Sequence, residues 1–183
     1  MGLKEKHGIF YVLMLFFVSV VFVSFQGGAA MAFELKSPAF VSGAAIPKQY
    51  TCEGRDVSPA LLWKDAPGQT VSFALISDDP DAPMGTWVHW VIYNISAGSE
   101  GLPEGVSRQE VLEDGSRQGI NDSADIGYGG PCPPPGKPHR YFFKLYALDC
   151  ELDIPGKATK DALLAAMQGH ILAEASVVGT YKR

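Results

Sequence analysis

Two short segments of this chain each set an imidazole beside a polar, backbone-rich loop. Ser77-Asp78-Asp79-Pro80-Asp81-Ala82-Pro83 leads into Trp87-Val88-His89-Trp90, and Gly127-Tyr128-Gly129-Gly130-Pro131 leads to His139-Arg140-Tyr141. An anion needs fixed hydrogen-bond donors. Two imidazoles and the free amide N–H groups of a Gly-rich turn supply them without a strong net positive charge. An acid such as Asp79 placed near His89 would hold one ring nitrogen as a donor and favour the imidazolium form. Binding of an anion is then expected to weaken as pH rises through the histidine pKa.

Each of these residues also has a plain structural reading. A lone histidine among aromatics is commonly a satisfied core residue; two histidines, an acid and a Gly-rich loop together are harder to explain that way. Asp81 fits a brace for the Pro-rich turn. Arg140 falls on the opposite face from His139 at period 2 and suits an ion pair there. His7 lies in the N-terminal leader, and His170 follows a helix C-terminus, where a cation is locally favoured, so neither requires a chemical role. A hydrolase built on Asp79, His89 and His139 lacks a Gly-x-Ser-x-Gly elbow and a nucleophile set beside a His-Asp pair. No closely spaced ligand pair marks a metal site, and no cofactor is implied. The residues point to a binding module and not to an enzyme.

The elements that must position these groups begin after residue 32. Lys4 and Lys6 precede an apolar run over residues 9–25, and small residues ending in Ala30-Met31-Ala32 follow. This is the pattern of a signal peptide over residues 1–32 with an A-x-A cleavage site, and it implies export to the periplasm or the cell exterior, with no stable membrane insertion after cleavage. The run is 17 residues long, just short of a spanning helix, so a retained anchor is the competing reading. Residues 33–183 suffice for one domain. The chain carries 15 Lys and Arg against 20 Asp and Glu, and loss of Lys4, Glu5 and Lys6 leaves 13 against 19, or −6. That balance offers no basic surface for nucleic acid or anionic membranes, so a phosphate would be held in a site. Three cysteines, Cys52, Cys132 and Cys150, give one disulfide and one thiol in an exported chain. Cys52 and Cys132 both sit in Gly/Pro-containing loops and are the favoured pair, while Cys150 suits an ordinary half-buried residue.

Short apolar alternations separated by Gly, Pro, Asp and Asn dominate the chain up to residue 157. They predict an all-β fold. A buried strand over 71–77, continued to Asp79, puts Val71, Phe73, Leu75, Ser77 and Asp79 on one side. A strand over 87–94 puts Trp87, His89, Val91 and Tyr93 together, and one over 139–148 does so for His139, Tyr141, Phe143, Leu145 and Ala147. Thr159 is a candidate N-cap for a helix with Ala162, Leu163, Ala166 and Met167 along one stripe, ended by Gly169. A last strand spans 171–181. Residues 96–128 read as a long surface excursion that could rim a pocket.

The residues resemble the phosphatidylethanolamine-binding protein family, in its bacterial Raf-kinase-inhibitor-like branch. The resemblance is carried by Tyr50-Thr51-Cys52-Glu53-Gly54, Ser58-Pro59, Leu62-Trp63, Asp79-Pro80-Asp81-Ala82-Pro83, Trp87-Val88-His89-Trp90, Gly130-Pro131 with Pro133-Pro134, and His139-Arg140-Tyr141. It implies two antiparallel sheets packed as a β-sandwich with a C-terminal α-helix. It also implies a shallow pocket for phosphate-type or phospholipid-headgroup ligands, lined by Asp79, Trp87, His89, Gly130, Pro131, His139 and Tyr141. The loop from 127 to 138 is Pro-rich and contains Cys132, which departs from eukaryotic members of the family. Some members inhibit a carboxypeptidase and others act as signalling scaffolds, so a protein partner is the alternative to a small anionic ligand. Kinase regulation does not carry over to an exported chain.

Overall fold

A computed structural model describes residues 1, 2, 32–155 and 157–183. The expected leader, except Met1, Gly2 and Ala32, lies outside the described residues. Among those described, no helix is long and apolar enough to cross a membrane. The strands run as β1 (Glu34–Lys36), β2 (Leu61–Lys64), β3 (Ser72–Asp79), β4 (Trp87–Ser96), β5 (Gly101–Leu102), β6 (Arg117–Gln118), β7 (His139–Leu148) and β8 (Ile171–Tyr181). One α-helix, α1 (Lys160–Met167), precedes the last strand. The helix and the strand after it stand in the order the sequence predicts.

The strands form two antiparallel sheets, a small one in the order β1-β2-β5 and a larger one in the order β6-β4-β3-β7-β8. β3 is buried along its whole length because it lies between β4 and β7 at the centre of the larger sheet. Its side chains alternate between two cores, as a period of two requires. Phe73 and Leu75 join Leu35, Leu61, Trp63, Phe143 and Leu145 between the sheets. Ala74 and Ile76 join Tyr146, Leu148, Leu163 and Met167 under α1. Each large apolar side chain removed from water in these layers contributes about 2 kcal/mol.

The helix begins where Thr159 Oγ1 accepts from the Ala162 N–H at 3.2 Å. It ends at Met167, and Gly169 two residues on, with φ of +84°, takes the left-handed conformation that glycine tolerates and turns the chain away.

Strict alternation fails in β4. Ser77 pairs with Trp90 and Asp78 with Val88, so His89 is an extra residue in the ladder, a β-bulge. The expected shared face of Trp87, His89, Val91 and Tyr93 is thereby broken. Val88, Val91 and Tyr93 enter the helix-side core, while Trp90 enters the core between the sheets. His89 packs edge-on against Tyr141, with ring centroids 5.2 Å apart.

The stretch 96–128 also differs from the expected surface excursion. It contributes β5 and β6, and it buries Leu102, Ser116, Gln118, Asn121 and Tyr128. Gln118 supplies what apolar content does not. Its Nε2 donates to the carbonyls of Ser107 and Gln109 at 2.7 and 2.8 Å, and its Oε1 accepts from Trp90 Nε1 at 2.7 Å. Polar side chains here satisfy the backbone of an irregular segment and so hold it against the sheet.

Candidate functional site

A cleft of about 430 Å³ opens where the ends of β3 and β4, the start of β7 and the loop around Gly129 converge. Asp79, Trp87, His89, Gly130, His139 and Tyr141 all line it. Pro131 does not. It is buried behind the lining, where its carbonyl accepts from the Cys52 N–H at 3.2 Å.

Asp79 closes the apolar face of β3 and is 3% exposed. Its Oδ2 lies 2.8 Å from His139 Nδ1, and its Oδ1 accepts from the Asp81 N–H at 2.8 Å. The acid is thus paired with His139 and not with His89, as the sequence had suggested. The reason is register: both Asp79 and His139 stand at the edge of the β3–β7 ladder, on the same face. Asp81 fixes that edge from outside, its carboxylate gripping Arg140 Nε and Nη2 at 2.8 and 2.7 Å. The Arg140 guanidinium pulls the Asp81 carboxyl down from 3.8 to about 2.

His89 is locked differently. Its Nδ1 is 2.7 Å from the Gly129 carbonyl, and the Gly129 N–H donates to the His89 carbonyl at 2.9 Å. A carbonyl only accepts, so Nδ1 carries the hydrogen and Nε2 is the nitrogen left for the cleft. Burial pushes the His89 pKa below 6.5, against the pull of the Gly129 carbonyl and the Asp79 charge. The free protein therefore presents a neutral His89 imidazole at neutral pH, in contrast to the imidazolium expected from the sequence.

Tyr141 stands between these groups. Its hydroxyl is buried without a hydrogen-bond partner, and burial first, then the Asp79 charge, raises its pKa so that it remains a phenol. Trp87 is 37% exposed at the mouth.

The glycine loop offers fewer donors than expected. The amides of Gly127 and Gly129 are taken by the Gly119 and His89 carbonyls. The Gly130 N–H donates to Asp56 Oδ1 at 2.7 Å. Gly130 serves close approach instead: a Cβ there would lie 2.4 Å from the Tyr50 carbonyl oxygen and 2.5 Å from Asp56 Oδ1. Cys52 and Cys132 form a disulfide beside it and both line the cleft.

Several lining residues carried no chemical signal in the sequence, among them Asp56, Arg108 and Asn121. Arg108 Nη2 is 2.6 Å from Asp56 Oδ2, so the guanidinium is neutralised by its own wall. Asn121 Nδ2 donates to the Gly127 carbonyl at 3.1 Å and steadies the loop that clasps His89. A left-handed Asp56, with φ of +53°, is a local turn feature that spacing does not reveal.

A family model described as phosphatidylethanolamine-binding protein matches residues 36–182. A UPF0098 protein of Methanothermobacter thermautotrophicus is 54% identical over 149 residues, which span 81% of this chain and 98% of that protein. Another from Aquifex aeolicus is 49% identical over 159 residues, covering 86% of this chain and 91% of the relative. Among solved structures, a putative phosphatidylethanolamine-binding protein homologue from Chlamydia trachomatis superposes with a TM-score of 0.76 at 43% identity, covering 83% of this chain and 98% of the other. The E. coli protein YbcL, described as a new member of the mammalian family, gives 0.78 at 32% identity, covering 84% and 99%. With its sandwich, its cleft and these matches taken together, the chain belongs to the phosphatidylethanolamine-binding protein family.

Proposed function

We propose that the protein is a non-catalytic binding protein whose cleft takes the anionic head of a small ligand, of phosphate or phospholipid-headgroup type. One observation carries this reading: both cleft imidazoles are anchored through Nδ1 to protein acceptors, Gly129 and Asp79, which leaves Nε2 of each toward the cleft beside the unpartnered Tyr141 hydroxyl. On these rigid strands the Tyr141 hydroxyl donates, and each Nε2 becomes a donor when its ring carries a second proton, so the three can surround one oxyanion, while Trp87 and Pro83 at the mouth offer apolar contact to the rest of the ligand. Of the three acids on the lining, Asp79 and Asp56 are engaged by His139 and Arg108, and Asp125 is exposed, where water screens its charge.

A dianion would draw a proton onto the neutral His89, so binding takes up a proton and affinity falls as pH rises. We further propose that residues 1–32 direct export and that the protein acts in an oxidising compartment, a reading supported by the Cys52–Cys132 disulfide.

The test is a calorimetric titration with inorganic phosphate and with phosphoethanolamine at about pH 6 and about pH 8, across the histidine range. Tighter binding at the lower pH, lost in both His89→Ala and His139→Ala while each stays folded, supports the reading. Absence of binding to the wild type at either pH rejects it.

A further inference from the structure

The far end of β7 carries a second group of side chains that the cleft does not use. Asp149 and Cys150 follow the strand, and His170 follows the turn out of α1. In the sequence, twenty positions separate the thiol from the imidazole, and no metal-binding spacing is visible. The fold removes that separation. Gly169, at φ +84°, reverses the chain after the helix and sets His170 against the end of β7. There the Asp149 N–H donates to the His170 carbonyl at 3.1 Å, and His170 Nδ1 lies 2.8 Å from Asp149 Oδ1. Ser72 Oγ donates to the Cys150 carbonyl at 2.5 Å and fixes the third position.

We propose that Asp149, Cys150 and His170 form a binding site for a divalent cation of the zinc type. One ligand atom from each residue lies within 4.8 Å of the others. The His170 and Asp149 side chains are 47% and 45% exposed, so a cation reaches them from solvent. Rotation of these two can bring all three donors to the roughly 2.0–2.3 Å that zinc requires. A thiolate, an imidazole and a carboxylate match a borderline-soft cation and not the all-oxygen shells of calcium or magnesium. On binding, the thiol releases its proton to solvent, the hydrogen bond between Asp149 and His170 opens, and three protein–metal bonds form. Water completes a tetrahedron at the open fourth position.

Cys52 and Cys132 are joined to one another, which makes Cys150 the free thiol. The site is separate from the cleft, since the ten residues of β7 place His139 and Leu148 about 30 Å apart at the rise of an extended strand.

Purified protein is titrated with Zn²⁺ by calorimetry and with Co²⁺ by absorption spectroscopy. One equivalent of metal is expected, with a thiolate-to-cobalt charge-transfer band whose only possible thiolate source is Cys150. Cys150→Ser removes the band, and His170→Ala or Asp149→Asn weakens binding by about a hundredfold or more, at or beyond the loss that outer-shell partners cause. Zn²⁺ also slows alkylation of Cys150 in the wild type, a readout that needs no variant to fold. If neither metal binds, or if binding occurs without the charge-transfer band and without protection of Cys150, the proposal is overturned.

Discussion

Asp78 and Asp79 are consecutive in β3, yet their carboxylates serve opposite faces of the same sheet. Asp79 faces the cleft and meets His139 at 2.8 Å, while Asp78 faces α1 and is held by Lys144 and Lys160 at 2.9 and 2.5 Å. Strand alternation alone divides them. The division assigns one acid to the site and the other to fixing the helix, because Lys160 is the first residue of α1.

Replacement of Asp78 by Ala leaves two ammonium groups facing an apolar layer with no partner. The side chain of Asp78 is 1% exposed, and loss of one member of such a buried network costs about 3 kcal/mol. Urea unfolding followed by circular dichroism measures this, and a loss below about 1 kcal/mol would show that the lysines escape to solvent. Phosphate affinity is expected to stay near that of the wild type.

Gly130→Ala tests the close approach behind the cleft. The added Cβ must push apart the Tyr50 carbonyl and the Asp56 carboxylate, an overpacking expected to cost about 2 kcal/mol. Because the same shift breaks the Gly130 N–H bond to Asp56, ligand affinity falls too. A thermal melt unchanged from wild type would contradict the packing seen here.

Acidification removes stability in two steps. His89 is neutral in the folded protein with a pKa below 6.5, so the unfolded chain takes up its proton first, and stability declines as pH falls from about 6.5 through the folded value. Asp81 has a folded pKa of about 2 against an ordinary 3.8, so its contribution is present above 3.8 and is lost between 3.8 and about 2. The second step is small, since the Arg140 side chain is 55% exposed and solvent screens the pair. Unfolding titrations across pH should lose the upper step in His89→Asn and the lower step in Asp81→Asn.

Reduction of the Cys52–Cys132 disulfide is expected to destabilise the fold by about 2–4 kcal/mol, since it joins positions 80 residues apart. Both cysteines line the cleft, so ligand affinity should drop in the Cys52→Ser, Cys132→Ser double variant even where the protein remains folded. Calorimetry on that variant, below its melting point, makes the comparison. Equal affinity would confine the disulfide to a role in stability.

Much of this architecture was legible in residue order. β7 and β8 run over the same residues as the predicted strands, and Thr159 caps α1 as its position suggested. The strand containing Asp79 begins one residue later than predicted and continues to the acid itself. What alternation could not convey is the bulge at His89, because counting by twos assumes an unbroken ladder and nothing in Trp87-Val88-His89-Trp90 marks the extra residue. The partner of Asp79 was hidden for the same reason: which histidine it meets depends on how β3 registers with β7, a long-range property. The occupied amides of Gly127, Gly129 and Gly130 were equally invisible, since the acceptors come from residues 119, 89 and 56. The approach of Cys150 to His170 follows from the turn at Gly169 and from no local spacing.

The bulge at His89 has one more consequence, for transplantation. Any attempt to graft this cleft onto another antiparallel sheet by copying side chains into a regular strand would fail by a single position. Without the surplus residue, His89 and Trp90 would point to opposite sides, and the imidazole would be lost to the helix-side layer or the indole to the wrong core. The unit that can be moved is therefore a length of irregular backbone, with its miscount included.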